Sequence, residues 1–421
     1  MFYFKFLILI VGVICLINGC SKQLPISSHL PSQRQVNALS SSTMRLVKNP
    51  YRLYLKGDDL SKESLIASIQ YSLDYLNRIS PDSVFEYGKI KYTAREVITS
   101  FEIFLNVINS YPEYDQLISE LEELFYLFGS SANDDNGVMF TGYYEPIFRG
   151  SLKKSKKYSV PVYGKPNDLL VLELGDFRDS LQSRTIVYRL QNNQILPYHS
   201  REEIMSQGAL NKKAEVLAWM ADPIDLFFTQ VQGSGIVKLE DGTLLRLGYN
   251  GSNGHNYSSI GKYLVDNEIM ELEKVSMGSI RQYLTDNPST RDKVLYHNKS
   301  YTFFSIDKDT RGPKGNINVP LTPNRSIATD SMIFPKSALT YIDAEMPVFK
   351  DDWSNATTTS FSRFSVIQDT GGAIKGPGRV DLFWGNGELA ERSAGRMRSF
   401  GKLYFLIAKK LTIRDHLINQ P

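Results

Sequence analysis

Residues 368–385, QDTGGAIKGPGRVDLFWG, hold two acids, Asp369 and Asp381, among five glycines. Gly-rich turns let the backbone approach a ligand closely and adopt positive φ at little steric cost. Asp381 is flanked by Val380, Leu382, Phe383 and Trp384. A carboxyl set into such an apolar wall has its pKa raised, as a group that donates a proton near neutrality requires. Arg379, two positions away, shares its face on a strand and acts in the opposite sense. A third acid, Asp330, ends the upstream run PLTPNRSIATD. Asp381 has the most apolar neighbours and is the preferred proton donor on chemistry alone. Asp369 and Asp330 are kept as supporting acids.

Three further clusters carry side chains suited to a hydroxyl-rich ligand. FTGYYEP at residues 140–146 offers Thr141, Tyr143 and Tyr144, and could form a sugar-stacking edge or simply a strand end. In DPIDLFFTQVQGSG at residues 222–235, a strand would put Gln230 and Gln232 on one face, followed by Ser234 between two glycines. Each amide offers both donor and acceptor, which fits hydroxylated or N-acetylated ligands. The polar run YNGSNGH at residues 249–255 adds Asn253 and His255. The five histidines are scattered and none has a cysteine partner at ligand spacing, so no metal or cofactor is expected. The chain has no Gly-x-Ser-x-Gly elbow and no phosphate loop or dinucleotide fingerprint in a strand-turn-helix setting.

These clusters need a scaffold, and the texture of the chain predicts one. Leu65, Ile69, Leu73 and Leu76 form a helical stripe after Ser61. Thr93 to Glu96 has capping-box spacing ahead of a second stripe, Val97, Phe101, Phe104 and Ile108. Tyr114, Leu117, Leu121, Leu124 and Phe128 make a third, closed by Gly129. From residue 138 the pattern changes to short strands: 138–144, 158–163, 185–190, 226–231 and 243–249, then 332–334, 339–342, 364–368, 380–383 and 403–407. Asp241-Gly242 has a hairpin-turn signature. Short helices are expected at 260–268 and 277–284. Many short strands argue for barrels. At 421 residues more than one domain is expected, and with no long linker the second is an insertion into the first. The formal charge of +3 gives no nucleic-acid footprint.

The N-terminus is a separate object. After Lys5, residues 6–17 are almost wholly apolar. The run falls short of the roughly 20 residues that span a bilayer and fits a secretory signal. Ile17-Asn18-Gly19-Cys20 resembles a bacterial lipoprotein cleavage box, which makes Cys20 the lipidated N-terminus after removal of residues 1–19. Cys15 leaves with the signal, so no internal disulfide is expected. Ser21 after the cysteine suggests the outer rather than the inner membrane of a Gram-negative cell. Residues 20–50 read as a flexible tether facing the periplasm.

In order, FTGYYEP, DPIDLFFTQVQGSG, the Asn-Gly-His cluster with SIGKYL, PLTPNRSIATD and QDTGGAIKGPGRVDLFWGNG resemble the membrane-bound lytic murein transglycosylase A (MltA) family. The resemblance covers residues 140–407. It implies a mainly β fold: a double-psi β-barrel with N-terminal helices, formed by residues 51–146 and 316–421, and an inserted second β-barrel at 147–315. A glycan groove lies between them. It implies cleavage of the β-1,4 bond between N-acetylmuramic acid and N-acetylglucosamine of peptidoglycan, leaving 1,6-anhydromuramic ends. By motif position the acid is Asp381. Thr141, Tyr143, Tyr144, Gln230, Gln232, Ser234, Asn253, His255, Gly372, Ala373 and Lys375 are the expected substrate contacts. The expected partners are peptidoglycan strands and, through Cys20, the outer membrane. Two alternatives remain at this point: a plain muramidase, and a peptidoglycan-binding lipoprotein without activity.

Overall fold

The computed structural model describes residues 43–111, 113–134, 137–181, 184–309, 311–349 and 356–418. The signal segment, Cys20 and most of the tether lie outside the described residues. No helix among the described residues is long and apolar enough to cross a membrane.

Three helices open the fold: Lys62–Leu76, Ala94–Ser110 and Tyr114–Leu124. The capping box at the second is complete: Glu96 N–H donates to Thr93 Oγ1 and Thr93 N–H to Glu96 Oε2. The third stripe splits. Its helix ends at Leu124, and Phe125–Ser130 runs on as a strand, where its aromatic residues pack on the barrel.

Twelve strands build two rings. In chain order they are β1 (Val138–Glu145), β2 (Ile147–Ser151), β3 (Val160–Tyr163), β4 (Val216–Met220), β5 (Gly235–Lys238), β6 (Leu244–Ser252), β7 (Thr302–Asp307), β8 (Ser326–Ala328), β9 (Leu339–Phe349), β10 (Ala356–Asp369), β11 (Arg379–Asn386) and β12 (Arg398–Ala408). The first ring runs β1–β12–β9–β10–β8–β11 and back to β1. Its β8–β10 and β11–β1 pairs are parallel. The second runs β7–β6–β5–β2–β4–β3 and closes through a bridge between Gly164 and Phe304. The expected fold class, mainly β with two barrels and N-terminal helices, is the one adopted.

Strand alternation explains which side chains leave the core. Val380 and Leu382 on β11, and Val138 and Phe140 on β1, are fully buried inside the first ring. Asp381, Thr141 and Tyr143 therefore point to its outer face. On the other side of β1, Gly142 is required by close packing. A Cβ there would stand 2.8 Å from Ala394 Cα of the helix Glu388–Arg396.

Two expected strands are something else. Residues 226–231 lie in the helix Pro223–Gln232, begun by Asp222 accepting from Ile224 N–H and ended by Gly233 at φ +81. Residues 332–334 form a turn in which Ile333 and Phe334 N–H donate to Asp330 O. The helices Pro288–His297 and Glu388–Arg396 were not anticipated by the apolar pattern.

Candidate active site

One cross-strand row carries the candidate chemistry. Ala328 on β8 is in register with Asp369 on β10 and with Asp381 on β11. Asp381 is in turn opposite Thr141 on β1, and Thr141 is opposite Arg398 on β12. A bulge brings Asp369 into the row. Ile327 pairs with Ile367, but Ala328 pairs with Asp369, leaving Gln368 as the extra residue. Gln368 is buried and held from three sides: Ser326 Oγ donates to its Oε1, and its Nε2 donates to Ser68 O and Ser72 Oγ. The N-terminal helix Lys62–Leu76 thus fixes the residue that re-aims Asp369.

The two carboxyls are held differently. Asp369 accepts three hydrogen bonds: Tyr143 Oη at 2.9 Å on Oδ2, and the N–H groups of Asn316 and Thr370, each at 2.9 Å, on Oδ1. Asp381 accepts from Thr141 Oγ1 on Oδ1, and its Oδ2 has no partner among the described residues. Arg379 Nη2 stands 3.9 Å from the same Oδ1. Tyr143 also packs on Phe383 with the rings tilted by 47° and their centroids 5.2 Å apart.

Burial pushes the Asp381 carboxyl up to about 6, with Arg379 opposing and the charge of Asp369 adding to the rise. Burial also pushes Asp369 up to about 6, against the three donors that favour its charged form. The Tyr143 hydroxyl is driven well above its ordinary value by burial and by the Asp369 charge beside it. Burial outweighs Arg379 at Asp381, so an open carboxyl oxygen sits on an acid poised near neutrality.

Asp330 has a different position. It is buried; its Oδ2 takes Gly376 N–H at 2.9 Å and its Oδ1 takes Met332 N–H at 3.1 Å. It pins the loop carrying Gly372, Ala373 and Lys375 rather than sharing the row. Gly372 and Ala373 are exposed on that loop, Ile374 between them and Lys375 is buried, and Lys375 Nζ is 3.9 Å from Asp330 Oδ1. Tyr257, in the coil that follows β6, faces this loop: a Cβ on Gly372 would lie 3.9 Å from Tyr257 Cβ.

Other expected contacts are engaged by partners within the protein. Gln230 does not share a strand face with Gln232. It is buried in a helix, paired with Arg201 Nη1, and donates to Thr302 O. Gln232 Oε1 instead accepts Tyr144 N–H at 3.1 Å, linking the two rings. Tyr144 is buried against Ala390 and Ala394, so its ring is no stacking edge. Asn253 is buried and bonds His199 O, Lys299 O and Tyr301 N–H, which leaves it no free amide. His255 Nε2 sits 2.7 Å from Tyr198 O, and Ser234 is buried after the helix end. No group of three His, Cys, Asp or Glu among the described residues is placed to hold a metal.

The sequence reading missed Asn316 and Gln368, because one acts through its backbone and the other through distant serines. It also passed over the Glu145–Arg246 pair. Glu145, at the end of β1, is fully buried and takes Arg246 Nε at 2.8 Å across the junction between rings.

The MltA specific insert domain matches residues 139–305 and the 3D domain matches residues 325–407. Membrane-bound lytic murein transglycosylase A of Escherichia coli K12 is 31% identical over 277 residues, 65% of this chain and 67% of that protein. The chain belongs to the MltA family. The Vibrio cholerae protein of that name is 33% identical over 274 residues, 64% of this chain. The match spans 65% of the Vibrio relative's length. Among solved MltA-type structures, the membrane-bound lytic murein transglycosylase of Agrobacterium tumefaciens superposes with a TM-score of 0.71 at 26% identity, covering 89% of this chain and 99% of that one. Escherichia coli MltA with bound chitohexaose gives 0.63 at 25% identity, covering 87% and 94%.

Proposed function

We propose that this chain is a peptidoglycan lytic transglycosylase whose single acid/base is Asp381. The observation that carries the reading is the row Asp369–Ala328–Asp381–Thr141, in which Asp381 alone combines a raised pKa with an oxygen that no described residue engages. Protonated Asp381 gives its proton to the glycosidic oxygen between N-acetylmuramic acid and N-acetylglucosamine, and the C1–O bond breaks. The muramic C6 hydroxyl then attacks C1. The Asp381 carboxylate takes the hydroxyl proton, closing the 1,6-anhydro ring and restoring the acid. The nucleophile is already tethered to the reacting centre, so its effective concentration is high and no second carboxylate is needed to activate water.

Asp369 supports this assignment by what holds it. Two amide N–H groups and a phenol hydroxyl stabilise its charged form and fix it beside Tyr143. In this role it adds negative potential next to Asp381 and to the oxocarbenium-like charge that develops at C1. The glycan-bound relative, which carries chitohexaose, supports a sugar polymer as ligand. The relatives' names, which describe them as membrane-bound, support a membrane association; in this reading the anchor is Cys20, at the outer membrane and facing the periplasm.

The reading is tested by incubating purified sacculi with the wild-type protein and with Asp381→Asn. Soluble muropeptides are expected from the first and not from the second. A wild-type protein that binds sacculi and releases nothing would leave only the binding lipoprotein.

A further inference from the structure

Beyond Asp381 the row continues into a cationic and aromatic strip. Arg398 on β12 is in register with Thr141, and Phe400 on the same strand with Met139. Met139 is also in register with Arg379 on β11. Register-paired side chains share a face, so Arg398, Phe400, Met139 and Arg379 stand on the outer face that bears Asp381. Two strand spacings put Arg398 about 10 Å from Asp381 along the sheet. Phe400 is 60% exposed, and Arg398 is exposed with no ion pair or hydrogen bond among the described residues.

We propose that Arg398 and Phe400 form a subsite for the acidic substituent of a muramic residue, with Phe400 against a sugar face and the guanidinium on a carboxylate. The proposal rests on the lytic transglycosylase reading and names which part of the glycan gives specificity. A neutral N-acetylglucosamine polymer has the sugar faces and lacks the acid. Muramic acid carries a lactyl ether whose carboxyl is either free or extended by a peptide that is itself acidic. Both sources present the carboxylate that guanidinium geometry recognises.

Binding is measured by calorimetry on the full chain bearing Asp381→Asn, so that strands are not cut. The ligands are peptide-bearing glycan strands, the same strands stripped of peptide to leave the lactyl carboxylate, and chitohexaose. Adding Arg398→Gln is expected to weaken carboxylate-bearing strands by roughly three- to tenfold. It should flatten the salt dependence of that binding and leave chitohexaose unchanged. Arg398→Lys, which keeps the charge, should retain most of the preference. A loss confined to peptide-bearing strands assigns the stem; a loss on both strand types assigns the lactyl group. Unchanged affinity for the carboxylate-bearing strands after Arg398→Gln, or an equal loss on chitohexaose, would overturn the subsite. The parent reading fails separately, through a wild-type protein that releases no soluble muropeptides.

Discussion

Asp369 and Asp381 flank a single residue, Ala328, from the two sides of a three-residue strand. Asp381 therefore feels the charge of Asp369, and the bulge at Gln368 is what brings them level. One is tied down by three donors and the other is left with an open oxygen. The proposed division of labour between donor and neighbour rests on that difference in hydrogen bonding.

The acid limb of the reaction tests this electrostatic arrangement. With Asp381 pushed up to about 6, kcat/KM for sacculus lysis should fall about tenfold per pH unit above that value. Arg379 lowers the Asp381 pKa and Asp369 raises it. Arg379→Gln should therefore move the limb to higher pH and Asp369→Asn to lower pH. Limbs that move in the same direction would contradict the arrangement.

Stability should carry the same signature. The folded Asp381 carboxyl lies at about 6, above its ordinary 3.8, so holding it charged in the folded state opposes folding. Below pH ~4 the carboxyl is protonated in both states and no penalty applies. The penalty grows between there and pH 6 and stays constant above. Asp381→Asn should thus be more stable than wild type at pH 8 by about 1–3 kcal/mol, with the gap closing by pH 4. Urea denaturation at the two pH values measures it.

Thr141 holds the acid through its hydroxyl. Thr141→Val keeps the shape and removes the donor. A hydrogen bond to a charged group is worth about 1.5–3 kcal/mol, so kcat should drop by roughly 10- to 100-fold with KM little changed. A matching rise in KM at constant kcat would instead make Thr141 a ground-state contact.

Much of this was legible because strands alternate. The apolar neighbours of Asp381 set it in an apolar wall from sequence alone, and strand alternation turns Val380 and Leu382 inward and the acid outward. The helix Pro223–Gln232 was misread because Phe227, Phe228, Thr229 and Val231 favour strands. Yet Asp222 before Pro223 and Gly233 after Gln232 are the cap signals that should have outweighed them. The bulge was beyond reach: Gln368 is fixed by Ser68, 300 positions earlier, and sequence spacing holds no trace of that contact. Asp330, expected as a supporting acid, accepts the Gly376 amide of the neighbouring loop, a backbone contact that spacing does not show.

The junction between rings depends on a buried ion pair. Glu145 is fully buried, with Arg246 bidentate on its carboxylate and Asn386 Nδ2 3.3 Å from Oε2. Glu145→Gln removes the charge and leaves the guanidinium uncompensated. It should destabilise the protein by about 3–5 kcal/mol, read as a lower urea midpoint. A double variant with Arg246→Met should recover part of that loss.

The most direct test of Asp381 acting with the substrate's own hydroxyl is the chemistry of the product ends. Sacculi digested by the wild-type protein should yield, by mass spectrometry, muropeptides ending in 1,6-anhydromuramic acid, lighter by one water than hydrolysis products. The Asp381→Asn protein should yield none. Reducing muramic ends from the wild type, or anhydro ends at an undiminished rate from Asp381→Asn, would contradict the account.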